Sequence, residues 1–346
     1  MPGSANRTLI LSDLDVTRLL PMAACIDVME HALRALAAGD AVLPLRTVLR
    51  LPGSSDAFAL MPSLLTTGTD HAKRTSALGA KVITVFPGND LTPLDSHIGV
   101  VLLFDGQQGR LRAIMDASSI TAIRTAAVSG LATRLLARPD ATDLAILGSG
   151  AQAMTHLDAM RCVRNVQRVR VWSRTPSRAA RFAARASARF QCPVEPCFTA
   201  REAVTDAHIV CTVTSAREPV LEGEWIAPGT HINAVGASFS TTRELDTAAV
   251  RRAVVYVDRV ESALAEAGDL LIPIVEGAIE RDHIRGEIGA LLRGDVAGPD
   301  AADDVTLFKS LGLAVEDLAA AQYLYARALA TETGTSVFIG GVRHDM

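Results

Sequence analysis

The sequence predicts an α/β protein that combines a doubly wound parallel sheet with a second, α+β domain. From Leu144 onward, short apolar runs typical of strands alternate with helical stretches rich in Ala and Arg, which is the pattern of a parallel sheet. The first third of the chain instead has several strand-like runs in succession. Two of these runs flank residues 105–109 (DGQQG), a hairpin signal that indicates antiparallel neighbours.

The first domain begins with a predicted helix at about residues 23–38. Strand-like runs follow at residues 43–51, 58–62, 79–86 and 99–104. Residues 118–136 are apolar at helical spacing. We therefore expect a helix there that leads from the first domain into the second.

The second domain is predicted to alternate strands and helices regularly. The expected strands are residues 144–147, 169–173, 208–213, 230–235 and 253–257. Helices that cover the sheet are expected at residues 151–161, 177–190 and 201–206. Beyond Val305, residues 307–330 are predicted as one long helix, which could return the chain to the first domain.

A nucleotide fingerprint lies at the first strand-to-helix junction of the second domain. The apolar run 144–147 passes into Gly148-Ser149-Gly150 and then into Ala153, matching Gly-x-Gly-x-x-Ala. Gly148 permits a tight turn, and Gly150 lets backbone N–H groups approach a pyrophosphate at the positive end of the helix. We therefore predict a Rossmann-type cofactor site. Its predicted residues are Gly148, Gly150, Ala151 and Gln152, with Val213, Thr214, Val235 and Gly236 at two later strand ends.

The residues after the second strand of this domain bear on the choice of cofactor. An acid there would bind the ribose 2′-hydroxyl of NAD, but this chain has Ser173, Arg174 and Thr175. Two hydroxyls and a guanidinium suit a 2′-phosphate, which favours NADP(H) and leaves NAD(H) possible. In the alternative interpretation, Arg174 and Arg178 are ordinary solvated charges.

Composition narrows the classes of function. The 346 residues are 49% hydrophobic and 21% charged, which is enough apolar material for two domains. A net charge of −4 with intermixed signs gives no footprint for nucleic acid, and no apolar run is long enough for a membrane helix. The five cysteines have no Cys-x-x-Cys spacing and the histidines no His-x-x-x-His pair, so we expect a cytoplasmic protein without a metal site.

Further motifs accompany the fingerprint. They are residues 79–89 (GAKVITVFPGN), 120–127 (ITAIRTAA), 231–238 (HINAVGAS) leading into 243–246 (RELD), and 306–317 (TLFKSLGLAVED). In these motifs the chain resembles the ornithine cyclodeaminase/mu-crystallin family from about Leu43 to about Tyr325. The resemblance implies a substrate-binding and dimerisation domain of residues 1–125 and 315–346, with a Rossmann domain of residues 126–314 inserted into it. It also implies a homodimer.

The resemblance assigns the substrate carboxylate to Arg46, Lys81 and Arg124. Charge-assisted contacts of this kind would both bind and orient a carboxylate. Lys81 lies in an apolar strand, where burial and neighbouring guanidiniums should lower its pKa and allow proton transfer to or from a nitrogen. Taken singly, each residue also has a plainer interpretation, as a salt-bridge arginine or as a strand lysine that reaches solvent.

Two departures from the family pattern affect the expected reaction. Ornithine cyclodeaminases have two acids near the substrate amino groups, where this chain has Ala59 and Ser238, as in the mu-crystallin and ketimine reductase branch. That branch usually has a proline two residues later, where this chain has Ser240. Ser238 could donate a hydrogen bond to the substrate nitrogen or to a water, or it could cap a helix carrying Glu244 and Leu245.

The leading hypothesis is an NAD(P)H-dependent oxidoreductase that reduces an α-imino acid, such as pyrroline- or piperideine-2-carboxylate, to the amino acid. An L-amino-acid dehydrogenase or reductive aminase acting on a 2-oxo acid would use the same cationic residues. Ornithine cyclodeaminase activity is disfavoured by Ala59 and Ser238, and a non-catalytic, NADPH-dependent binding protein is a fourth interpretation. Each hypothesis takes a small imino, keto or amino acid as the partner, with no nucleic acid and no membrane.

Overall fold

The computed structural model describes residues 7–54, 56–67 and 75–340. The chain forms two compact units, one of Met1–Arg124 with Leu313–Met346 and the other of Thr125–Gly312. The boundary between them falls inside the helix Ala117–Leu136, which the sequence predicted at residues 118–136. No helix in the described ranges is both long and apolar enough to cross a membrane.

The first unit is built on an eight-stranded sheet. Numbered along the whole chain, its strands are β1 (Thr8–Leu11), β2 (Ala41–Val42), β3 (Thr47–Arg50), β4 (Ala57–Thr67), β5 (Thr75–Val85), β6 (His97–Asp105), β7 (Leu111–Asp116) and β16 (Thr335–Val337). Its helices are α1 (Asp13–Leu19), α2 (Met22–Ala37), the start of α3 (Ala117–Leu136) and α11 (Ala314–Ala330), besides the 3-10 turn Pro87–Leu91. The strand order is β16-β1-β7-β6-β5-β4-β2, with β3 also paired to β4. The predicted hairpin at residues 105–109 is confirmed, because β6 and β7 pair antiparallel.

Strict alternation gives this sheet one buried and one exposed face. On β4, Ala57, Ala59 and Met61 are buried, whereas Phe58 and Leu60 between them are each 38% exposed. Helix α11 packs against β4, β5 and β6, and α2 packs against α11. Because side chains alternate with a period of two along a strand, the register fixes which residues reach the helices.

The prediction of one strand at residues 43–51 is wrong in detail. The structure has the short β2 and then β3, separated by residues 43–46, which belong to neither strand. Pro44 lies in the interruption, and a proline has no N–H to donate to a strand ladder. The break places Arg46 in a loop directly before β3.

The second unit is a parallel sheet with helical crossovers, as predicted. Its strands are β8 (Asp143–Leu147), β9 (Arg168–Trp172), β10 (Val194–Pro196), β11 (Ile209–Thr212), β12 (His231–Ala234), β13 (Val254–Val257), β14 (Ile284–Glu287) and β15 (Thr306–Lys309). Its helices, besides the end of α3, are α4 (Ala151–Val163), α5 (Pro176–Phe190), α6 (Ala200–Val204), α7 (Thr247–Arg252), α8 (Val260–Glu266), α9 (Gly268–Val275) and α10 (Ile288–Arg293), and 3-10 turns lie at Gly223–Trp225 and Arg281–His283. The order β10-β9-β8-β11-β12-β15-β13-β14 reverses direction between β8 and β11. In doubly wound sheets, ligands bind at the carboxyl ends of the strands near such a reversal.

The prediction of one helix over residues 307–330 is wrong at its start. Thr306–Lys309 forms strand β15, which lies between β12 and β13 and pairs parallel with both. Helix α11 begins only at Ala314. The four residues of β15 are all buried, and a short apolar run buried on both faces does not show whether it is strand or helix.

Candidate functional site

Two cations and two acids form a buried ion cluster in the first unit: Lys81, Arg124, Glu316 and Asp317. Lys81 Nζ lies 2.9 Å from Asp317 Oδ2, and Arg124 Nε lies 3.0 Å from Asp317 Oδ1. Arg124 Nη1 lies 2.8 Å from Glu316 Oε2. All four side chains are at most 5% exposed. Asp317 therefore bridges Lys81 and Arg124, which the family resemblance assigned to the substrate carboxylate.

Three elements bring the ion cluster together. The antiparallel register pairs Lys81 with Met61 on one side and Val101 on the other, so Lys81 occupies the buried face of the sheet. Arg124 belongs to α3, whereas Glu316 and Asp317 lie in the first turn of α11. Acids are favourable there because the first turn of a helix carries unpaired N–H groups and partial positive charge.

Burial and neighbouring charges set the proton affinity of Lys81. Burial and, to a smaller extent, the charges of Arg124 and Arg46 lower its pKa, Asp317 opposes them, and the net result is a pKa of about 8. This is the direction that the place of Lys81 in an apolar strand predicts. Lys81 Nζ also lies 3.4 Å from the Thr121 hydroxyl, to which it donates. A lysine with such a pKa exchanges its proton near neutral pH, as an acid or base in catalysis must.

Neighbouring charges, more than burial, determine the pKa of Asp317, the acid that links the cluster. Burial alone would raise the pKa of Asp317, but Arg124 and Lys81 outweigh it and hold that pKa below its usual value. Two carboxylates and up to three cations, Arg46 included, thus share this part of the first unit.

Two further predicted residues precede or lie on the strands beside this cluster: Arg46 directly before β3, and Ala59 on β4, which pairs with the strand that carries Lys81. Arg46 is half-buried, and its charge acts on Lys81. Ala59 lies on the buried face of β4, where it pairs with Ile83, two residue pairs along from the Met61–Lys81 pair. At the position where a cyclodeaminase would have an acid, the chain therefore offers a methyl group.

The fingerprint loop of the second unit fits a dinucleotide. Gly148 has a φ of 126°, and a Cβ there would lie 2.6 Å from the carbonyl oxygen of Val213, so only glycine suits the turn. A Cβ on Gly150 would meet nothing within 4 Å, so space is open beside it. Gly150 is the N-cap of the 13-residue helix that starts at Ala151, and no side chain of the described residues caps it. This junction can take a pyrophosphate on its backbone N–H groups.

The residues assigned to the ribose lie at the end of the neighbouring strand. Ser149 donates a hydrogen bond from its hydroxyl to that of Ser173, across 3.0 Å. Arg174 and Thr175 are exposed, and no ion pair to Arg174 occurs in the described part of the chain. Thr175 is the N-cap of α5 but makes no capping bond with its side chain. The structure thus brings these three residues together beside the fingerprint loop.

Two of the remaining predicted cofactor residues, Thr214 and Gly236, are held by one buried acid, whereas Val213 and Val235 donate their N–H groups to the carbonyl oxygens of Leu147 and Thr212. Glu244, which is 0% exposed, accepts hydrogen bonds from the backbone N–H and hydroxyl of Thr214, the hydroxyl of Thr212 and the N–H of Gly236, at 2.6–2.8 Å. Burial and the nearby Asp269 raise its pKa, and these donors oppose that rise. A Cβ on Gly236 would lie 2.1 Å from the carbonyl oxygen of Thr214, so the two strand ends approach closely.

A lysine and a second acid complete this set, which we call the buried network: Glu244, Asp269 and Lys309. Lys309 Nζ lies 2.9 Å from Asp269 Oδ2 and donates to the carbonyl oxygens of Ala237 at 2.6 Å and Ala234 at 3.3 Å. Asp269 Oδ1 accepts the N–H of Glu244 at 2.7 Å. The network therefore supports the backbone on both sides of Gly236.

One interpretation of Ser238 is wrong. Glu244 and Leu245 lie in no helix, since α7 begins at Thr247 and is capped by Asp246, whose side chain accepts from Ala249 N–H. Ser238 therefore caps nothing there. It is half-buried, and its hydroxyl has no hydrogen-bond partner within the described residues. The interpretation that remains is donation to a substrate or to a water.

Sequence reasoning missed the acids of the ion cluster and all of the buried network. Glu316 and Asp317 were part of a recognised motif, yet received no role. The available signal was two adjacent acids at the start of a long apolar helix. The sequence signal for Lys309 was clearer, because the chain has only 3 lysines among its 34 basic residues and Lys309 lies in an apolar run. Lysine is rarely buried without a charged partner.

The sequence and the fold are similar to those of known proteins of one family. Residues 6–332 match the ornithine cyclodeaminase/mu-crystallin family. The ketimine reductase mu-crystallin of Mus musculus is 42% identical over 83% of this chain and 85% of that protein. Delta(1)-pyrroline-2-carboxylate reductase of Thermococcus litoralis, solved with NADH and L-proline, has a TM-score of 0.90 at 38% identity, covering 95% and 100% of the two chains. An archaeal alanine dehydrogenase dimer with bound NAD has a TM-score of 0.88 at 28% identity, covering 96% and 100%.

Proposed function

The chain belongs to the ornithine cyclodeaminase/mu-crystallin family, and from that premise we propose that it reduces α-imino acids with a nicotinamide cofactor. Its substrates are cyclic ketimines such as pyrroline- and piperideine-2-carboxylate. The observation that carries this proposal is the buried Lys81, held by Asp317 beside Arg124 and with a pKa lowered to about 8. Relatives that are named ketimine and pyrroline-2-carboxylate reductases support it.

Each residue then has a role that its surroundings suit. Arg46 and Arg124 bind and orient the substrate carboxylate. Their charge-assisted hydrogen bonds replace those that the carboxylate loses when it leaves water. Lys81 donates a proton from Nζ to the imine nitrogen, and Asp317 orients the ammonium. A reduced nicotinamide cofactor, when bound, would supply the hydride that the imine carbon accepts. Ser238 hydrogen-bonds the substrate nitrogen or a water beside it.

The reaction is tested by following oxidation of NADPH and NADH with purified protein. Cyclic imino acids are offered alone, and 2-oxo acids are offered with and without ammonia or methylamine. We expect turnover of the cyclic imines without any added amine. If no cyclic imine were reduced while a 2-oxo acid with ammonia was, the protein would be an amino-acid dehydrogenase.

That dehydrogenase is the second candidate, because the archaeal alanine dehydrogenase has a similar fold over almost the whole chain. The same cations would bind the carboxylate of a linear imino acid that forms from a 2-oxo acid and ammonia. Ornithine cyclodeamination is disfavoured by the methyl group of Ala59 on the buried face. Ornithine in the assay should therefore yield no proline.

For the cofactor we propose a preference for NADP(H), supported by Ser173, Arg174 and Thr175 and by the lack of an acid among them. Arg174→Ala should weaken NADPH binding by about 10- to 150-fold and leave NADH nearly unchanged, because it removes one charge-assisted contact to a phosphate. Calorimetric titration of both cofactors measures this. Arg181→Ala, which removes an exposed arginine from α5, is the matched control. Equal affinities for NADPH and NADH in the wild type would contradict the preference.

We also propose a homodimer formed through the exposed face of the first unit's sheet. That face carries large apolar side chains that are 38–41% exposed: Phe58, Leu60, Leu78 and Ile98. The register places Leu60 beside Val82 and Leu78 beside Phe104, so the patch is continuous across three strands. Apolar patches of this kind usually mark an interface.

The dimer proposal predicts the effect of a charge in the centre of the patch. Leu60→Lys should convert a dimer into a monomer in light scattering coupled to size exclusion, because a buried ammonium without a partner is costly. Val275→Lys is the control, since Val275 is an 87% exposed apolar residue of the second unit. A wild-type protein that is monomeric at assay concentration would overturn the proposal.

We further infer a cytoplasmic location. All five cysteines are free thiols, and Cys25 and Cys211 are buried. Oxidising compartments favour disulfides, whereas the cytoplasm keeps thiols reduced. Fractionation of cells that express the protein tests this, and recovery from an oxidising compartment would contradict it.

A further inference from the structure

The buried network lies at the carboxyl ends of strands in the second half of the parallel sheet. Thr212 ends β11, Ala234 ends β12 and Lys309 ends β15, and the network contacts each of them. A doubly wound sheet binds one mononucleotide with each half, and the fingerprint loop belongs to the half that takes the adenosine side. The network thus supports the half that takes the nicotinamide side.

Each carboxylate oxygen of Glu244 and Asp269 has a hydrogen-bond or an ion-pair partner. Glu244 accepts four hydrogen bonds, two on each carboxylate oxygen. Asp269 accepts the N–H groups of Glu244 and Leu245 on one oxygen and contacts Lys309 through the other. Each oxygen of Glu244 accepts one backbone N–H, which cannot accept a proton in return, so these hydrogen bonds favour the carboxylate and oppose the rise that burial gives its pKa.

The charges in the network do not cancel. Two carboxylates face a single ammonium, so the network carries one net negative charge when all three groups are ionised. Burying such a set adds little to stability, because a well-packed apolar set of the same volume is often as stable. A contribution to stability therefore does not explain why the buried network has this geometry and this net charge.

We propose that Glu244, Asp269 and Lys309 are positioning residues that fix the nicotinamide half of the cofactor site and, through their net negative charge, favour the oxidised over the reduced ring. This inference rests on the proposed function. An oxidised nicotinamide ring carries a positive charge and a reduced one is neutral, so a buried negative charge nearby stabilises only the oxidised ring. The support of Gly236 by Glu244, and of Ala237 by Lys309, places the backbone directly before Ser238.

The proposal predicts changes of opposite sign, which structural damage would not produce. Lys309→Met removes a positive charge and should raise the ratio of NADP+ to NADPH affinity by about 3- to 10-fold, the effect of one charge at reduced dielectric. Glu244→Gln and Asp269→Asn each remove a negative charge and should lower the same ratio by a similar factor. Loosened packing alone would weaken both forms together.

The experiment is a calorimetric titration of NADP+ and NADPH into the full-length wild type and each variant, without imino acid. Arg285→Met is the control, because it removes a positive charge from β14 that is paired with the exposed Asp300, and it should leave the ratio unchanged. Circular dichroism checks that each variant is folded. If Lys309→Met does not fold, the two acid variants still predict a fall in the ratio.

The outcomes separate this inference from the proposed function. Wild-type ratios in all folded variants, or a shift of the same sign in Lys309→Met and Glu244→Gln, would overturn the role of the charge while leaving imine reduction intact. A wild type that binds neither cofactor form would overturn the proposed function as well. A shift in the predicted directions in a protein that reduces no imine would support the network and reject only the substrate.

Discussion

Replacing Lys81 by Met should lower kcat for imine reduction by a factor of about 10²–10⁴, the usual contribution of a positioned acid or base. Met keeps the length of the side chain and its apolar contacts but has no proton to donate. KM should change less than kcat if Arg46 and Arg124 retain the substrate carboxylate. Initial rates at saturating cofactor measure both constants, and a variant with wild-type kcat would remove Lys81 from the mechanism.

The pH dependence gives this prediction its sign. With a pKa of about 8, Lys81 is protonated below that pH and neutral above it. In the mechanism that we propose, imine reduction takes a proton from Lys81, so its kcat/KM should fall as pH rises through about 8. Amine oxidation returns a proton to Lys81 and should become faster over the same range. Both dependences should disappear in Lys81→Met.

The small number of lysines allows a direct measurement. The chain has 3 lysines, so a protein labelled with 15N-lysine gives few side-chain signals, and Lys81→Met identifies one of them. We expect that signal to titrate near pH 8, well below the ordinary 10.5. A Lys81 signal that titrates at the ordinary value would show that burial does not tune this group.

The second large effect concerns stability. Asp317→Asn should destabilise the protein by about 3–5 kcal/mol, because it leaves Lys81 and Arg124 buried without the carboxylate that bridges them. The amide still accepts one hydrogen bond but carries no charge. Urea denaturation followed by circular dichroism measures the change, and the two units are read separately where the transition has two steps.

The matched control is Asp300→Asn, which breaks an exposed ion pair with Arg285 and should leave the unfolding midpoint unchanged. A double variant, Lys81→Met with Asp317→Asn, sharpens the test. Since it removes both partners, its cost should be smaller than the sum of the single costs. Additive costs would show that the ion pair contributes nothing beyond its separate groups.

Five of the eight strands of the parallel sheet could be predicted from the sequence, because each is a short apolar run, whereas β10 (VEP) and β14 (IRGE) lack such a run and were missed. The fingerprint marked the junction of the first of these strands with a helix, and the turn at Gly148 has the conformation that the motif requires. The same rule misplaced β15, where a buried strand and a helix have the same apolar composition. Only its pairing with β12 and β13 settles the difference.

The candidate site divides in a similar way. Lys81 and Arg124 could be predicted because each is a cation in an apolar setting, within a motif of the family. Their acidic partners come from α11, and Arg124 and Asp317 are 193 residues apart in sequence. Local pattern carries no information on such pairing, because it depends on the register of β5 against a helix near the other end of the chain. The same reason hides the contact between Lys309 and Asp269.

The first unit is assembled from both ends of the described chain, and this determines the order in which the two units can fold during synthesis. The second unit is continuous in sequence, so it can fold as soon as residues 125–312 have been made. Until α11 follows, the sheet that carries Lys81 lacks the helix that covers β4, β5 and β6, and its apolar side chains stay open to other nascent chains. A premature stop before Ala314 should therefore yield an insoluble product in which the second unit is still folded.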